Sequence, residues 1–213
     1  MSAIRLLALI LLCTILLGAC GRSELIRIRM LAPVTEDKKD HAIFTDTTSS
    51  SSFTPTITNK NVGASLYFLF KSIGLGYTTI TTKMEKTDTN LKEETTLVTN
   101  FTDVAFGIGE NYSFMWGAGV LSGGKMETSL EDGSNSFYPK NNYLGGHSIF
   151  FVLGHHGFGF ETLLGYRTNF IKAQFEESNL PSTVGKTGKD FTYESNKISL
   201  TTSQVQLGIG FTF

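Results

Sequence analysis

The sequence ends Gln204-Val205-Gln206-Leu207-Gly208-Ile209-Gly210-Phe211-Thr212-Phe213, and the reading of this stretch decides the fold. Val205, Leu207, Ile209, Phe211 and Phe213 occupy alternate positions, with Gln204, Gln206, Gly208, Gly210 and Thr212 between them. Side chains of a strand point alternately to its two faces, so the stretch is a strand with one greasy face and one small, polar face. Soluble sheets ordinarily blunt so apolar an edge with charge, proline or a turn. None is present here.

Gln206, Gly208, Phe211 and Phe213 resemble the C-terminal assembly signal of bacterial outer-membrane β-barrels. That signal is a polar residue, a glycine two positions on, and aromatics at the third-last and last positions. The resemblance implies recognition by the barrel-assembly machinery and a place in the outer membrane.

The other end of the chain agrees. Met1 to Ala19 carries one positive charge, Arg5, then an apolar run from Leu6 to Leu17 and the small residues Gly18 and Ala19. This reads as an export signal, residues 1–19, because the apolar run is too short for a stable membrane helix. Leu17-Gly18-Ala19-Cys20 resembles a lipoprotein lipobox, which implies cleavage before Cys20 and lipid attachment to it. Gly21 at the next position favours, by the same resemblance, sorting to the outer membrane. The alternative is the general signal peptidase cutting after Gly21, which would discard Cys20.

Removing 19 of the 213 residues leaves 194, room for one domain over 20–213. With Cys13 in the leader and Cys20 at its edge, the mature chain has no disulfide and no thiolate metal site. A net charge of −1 gives no nucleic-acid signature. No mature segment has the unbroken apolar run a membrane helix needs, so a membrane crossing requires a closed barrel whose strands satisfy one another.

The rest of the chain divides into alternating strands joined by short turns at one end and longer polar loops at the other. Ile26, Ile28, Met30 and Ala32 fall on one face of the first strand, with Arg27 and Arg29 on the other. Residues 35–55 read as a loop, and Asn61–Phe70 as a strand with Val62, Ala64, Leu66, Phe68 and Phe70 outward. Residues 71–74 are expected to turn, and the threonine-rich Leu75–Met84 is a strand whose facing the residues leave open. A charged loop follows over 85–94. Thr95–Gly109, Phe114–Met126, Tyr143–Gly154, Phe158–Phe175 and Ile198–Phe213 complete the set. Their turns are expected at 110–113 and 155–157, and their loops at 131–142 and 176–196. The expected fold is therefore all-β, an eight-stranded antiparallel transmembrane up-and-down barrel with both termini periplasmic. Ten strands, with an added hairpin from His41–Asp46 and Phe53–Thr58, is the alternative. The architecture resembles small outer-membrane barrels of the OmpX and OmpA type. Trp116, Phe158, Phe211 and Phe213 suit an aromatic girdle.

Eight strands enclose just enough space for side chains. Inward glycines leave room for Arg27, Arg29, Asp103, Glu161 and Arg167, which are expected to pair across the lumen as a plug, since buried charges need partners. No catalytic residues, metal or cofactor are assigned. A lipid-processing site would need serine, histidine and acid within reach, yet His147 and Ser148 are adjacent in a strand and face opposite ways. His155-His156 has no third ligand at a useful spacing. The expected role is structural or adhesive, through loops that meet outer-membrane lipids and lipopolysaccharide. A lipid-modifying enzyme (a lipid A deacylase or acyltransferase) and a narrow channel are the alternatives.

Overall fold

The structure is a computed structural model that describes residues 26–34, 44–46, 56–87, 91–133, 135–138, 141–157, 159–175, 184–186 and 197–213. The leader and Cys20 lie outside these residues, as do Phe158 and most of 35–55 and 176–196.

Eight long strands form one sheet: β1 Ile26–Pro33, β2 Thr56–Phe70, β3 Ile73–Thr87, β4 Leu91–Gly109, β5 Tyr112–Asp132, β6 Asn141–Gly157, β7 Phe160–Phe175 and β8 Lys197–Thr212. Each pairs antiparallel with its neighbour in sequence, and β1 also pairs with β8, so the sheet closes into an up-and-down barrel. The closing rung is reciprocal. Ile26 N donates to Phe213 O at 3.1 Å and Phe213 N to Ile26 O at 2.9 Å. Closure leaves β1 and β8 no free edge where they pair, which answers the problem the apolar last strand raised.

A separate small ladder pairs Phe44–Asp46 with Val184–Lys186. The ten-stranded alternative therefore fails. Thr56-Ile57-Thr58 do not belong to an extra hairpin but open β2, opposite Thr87, Lys86 and Glu85.

Several boundaries move. The expected loop at 85–94 is largely strand: β3 runs to Thr87 and β4 starts at Leu91. Polarity there reflects facing rather than looping, because Lys86 and Glu93 are opposite one another and both buried on the lumen side. The loop at 131–142 likewise shrinks, with Asn135–Phe137 pairing back onto the tip of β5. His155-His156-Gly157 belongs to β6, opposite Thr162, Glu161 and Phe160. At the same end the turns reduce to Lys71-Ser72, where Lys71 takes φ 55°, and Glu110-Asn111. Strands of up to 21 residues exceed the roughly 9 to 11 that a tilted bilayer crossing needs, so the barrel extends past any membrane on the side away from these turns. Among the described residues no helix is long and apolar enough to cross a membrane, a finding silent about strands.

Candidate functional site

Alternation separates two surfaces of opposite chemistry. Val62, Leu66, Phe68, Leu75, Val120 and Ile149 point away from the lumen and are each at least half exposed. On the last strand Leu207, Ile209, Phe211 and Phe213 are outward, while Gln204, Gln206 and Gly210 are buried inside. The signal residues thus divide by face. Gln206 donates through Nε2 to Ser65 Oγ at 3.3 Å inside the barrel. At Gly208 a Cβ would strike the backbone and side chain of Leu31, and the two aromatics lie on the outer wall. Near the short turns Trp116 stacks on Phe114 with ring centroids 5.4 Å apart and lies 6.1 Å from Phe106.

Inside, polar and apolar layers alternate along β7. Glu161 comes first. It accepts from Arg29 Nε and Nη2, both at 2.8 Å, and from Ser113 Oγ at 3.0 Å. Arg29 Nη2 also donates to Ser113 Oγ at 2.7 Å, and Arg27 Nη2 to the Gly109 carbonyl at 2.7 Å. Leu163 belongs to the next layer, an apolar cluster with Leu31, Tyr67, Leu69, Met115 and Phe150. Arg167 follows, forked onto Asp103 with Nη1–Oδ2 and Nη2–Oδ1 both 2.9 Å. Its remaining three protons go to Asn169 from Nε, to Ser148 from Nη2 and, shared from Nη1, to Thr78 and the Tyr67 hydroxyl. The guanidinium carbon sits 4.7 Å from the Phe101 ring centroid and 5.4 Å from that of Phe150. Ile171, Ala173 and Phe175 then join a second apolar cluster with Met84, Leu97 and Phe101.

The five expected lumen charges therefore do not meet at one place. The structure brings Arg29 to Glu161 and Arg167 to Asp103 as two pairs, separated by an apolar layer, and gives Arg27 a main-chain carbonyl. The bidentate fork suits Arg167 because guanidinium and carboxylate geometries match. Thr78, Asn169 and Ser113 are site residues the sequence does not single out, and Ser148, weighed there only as a nucleophile, is a partner of Arg167. In β3 the glycines at 74 and 76 beside Leu75 and Tyr77 carried the phase that would have placed Thr78 inward; the threonine run obscured it. His147 lies outside, stacked on Phe170, whereas Ser148 is buried under Arg167. His155 stacks on Tyr112 at 4.8 Å, and among the described residues no group of three His, Cys, Asp or Glu side chains could hold a metal.

A closed eight-stranded antiparallel barrel with an apolar outer wall and a lumen filled by paired charges and apolar layers is the class the fold defines. No protein-family model and no curated protein matches the chain. Among solved structures it is similar to the outer membrane protein OprG from Pseudomonas aeruginosa, at 13% identity over 88% of this chain and 95% of that one, with a TM-score of 0.42. The fold assignment rests on this chain's own strand ladder.

Proposed function

We propose that the protein is an integral outer-membrane barrel whose role is structural or surface-interacting rather than catalytic. The observation that carries this reading is the outer wall: alternate residues of a closed sheet are large, apolar and exposed, which water disfavours and hydrocarbon requires. The end with the short turns and both termini faces the periplasm, and the long connections face outward. Cys20 is the lipid anchor at the periplasmic end, a few residues before β1.

The non-catalytic reading is supported by the occupation of the candidate groups. Ser148 is held by Arg167, and His147 is on the opposite side of the wall. A changed lipid A acyl profile on deletion of the gene would overturn it. Membrane insertion is tested by extracting the protein in detergent and running it with and without boiling. A faster, compact band that shifts on heating is expected. Its absence, with release into solution, would sink the barrel-in-membrane reading, and the mass of the mature N-terminal peptide decides the lipidation of Cys20.

A further inference from the structure

The hairpin of β5 and β6 contains an opening bounded at both ends by paired residues. Val120 pairs with His147, and ten residues further along each arm Leu130 pairs with Phe137, so both ends share one register. Between them the described residues 121–126 and the facing 141–146 make no ladder with each other. Each arm carries one extra residue there. Leu121 and Gly123 pair with consecutive residues of β4, leaving Ser122 as a bulge, and Asn141 and Tyr143 pair with consecutive residues of β7, leaving Asn142 as another. Two compensating bulges part the strands and let them rejoin in step. Bulges commonly end pairing beside functional sites.

The parting leaves a cavity of about 370 Å³ between the arms, lined by residues 121–126 with Asn141, Tyr143 and Leu144. On its lumen side it is lined by Met126, a member of the apolar cluster around Phe101, and by Leu121 and Leu144, which pack against that cluster. Its mouth is on the outside of the barrel. Gly123 presents no side chain there, Tyr143 lays its ring over Gly145 and is 56% exposed, and Lys125 points outward. Lys172 is exposed directly opposite Gly145 on β7. Just below, Val120 is 66% and Ile149 52% exposed, so the cavity sits where the apolar wall gives way to polar groups.

We infer that this eye binds the phosphorylated sugar headgroup of an outer-leaflet glycolipid, with the acyl chains lying along the apolar wall beneath. The inference rests on the outer-membrane reading above. Charge complementarity, level and chemistry select the occupant: two lysines for phosphate and an exposed tyrosine ring for a sugar face. Lys125 Nζ now holds Glu127 at 2.9 Å, but both are more than half exposed, and such surface pairs hold so weakly that a phosphate can displace the carboxylate.

The test is titration of the refolded full chain in neutral detergent with lipid A and with its dephosphorylated form. The native protein should bind the phosphorylated form more tightly. The double variant K125Q/K172Q should bind at least about tenfold more weakly, since the loss of either charged hydrogen bond alone costs that much. G123L should abolish binding without disturbing the wall, since a Cβ at Gly123 meets only Asn100 Nδ2, at 3.7 Å. Unchanged affinity in these variants, or equal affinity for both lipids, overturns the proposal. The heat shift is measured on the same samples. A shifted native protein without binding refutes this site alone; an unshifted native protein refutes the membrane reading with it.

Discussion

Arg167 is the residue on which the lumen turns. Its guanidinium is fully buried, forked onto Asp103, and lies against two phenylalanine rings. Two charges taken out of water contribute little net stability, but removing one leaves the other uncompensated. Asp103→Ala should therefore cost about 3–5 kcal/mol, measured as a lower urea midpoint of the refolded barrel. The double change to leucine at both 103 and 167 should recover most of that loss. Equal destabilisation of single and double variants would mean the pair acts through packing rather than charge. Gly119 explains how the pair fits at all: a Cβ there would meet Asp103, Ser148 and Arg167 together.

At the scale of elements, each strand carries two incompatible solvents on its faces. Phe68 is 50% exposed while its neighbour Leu69 is fully buried. In a bilayer, Leu66→Arg, at the centre of the outward run from Val62 to Phe70, faces hydrocarbon and should cost about 2–4 kcal/mol, read by unfolding from lipid vesicles. A negligible change in vesicles would argue that this wall meets water. Strand β8 has a second duty, closing the barrel. Phe213 contributes the reciprocal rung with Ile26 and an outward ring that is 71% exposed. Deleting it should lower the fraction of heat-shifting protein in membranes, and normal insertion of the truncated chain would sink the assembly role.

For the whole molecule, alternating ion-pair and apolar layers occupy the interior from Arg29 to the cluster around Phe101. The barrel should be silent in planar bilayers under applied voltage. Resolved conductance steps would favour the narrow-channel alternative and would require the Arg167–Asp103 layer to part.

Strand number, the polarity of the lumen and the facing of the strands other than the threonine-rich Leu75–Met84 were legible in the sequence because a strand's period of two writes burial directly into alternate residues. Arg27 and Arg29 beside Ile26 and Ile28 already place charge inside and grease outside. Strand ends were less legible, since Lys86 and Glu93 are as polar as any loop and only their position opposite each other makes them wall. The pairing of charges was not legible at all. Glu161 and Arg29 are 132 residues apart in sequence, and Arg167 and Asp103 are 64 apart. Outside the threonine-rich strand, the sequence by itself determined which residues face inward; only the tertiary structure decided which meet across the lumen and where two compensating bulges open the wall, because both depend on the register between strands, which alternation within each strand does not specify.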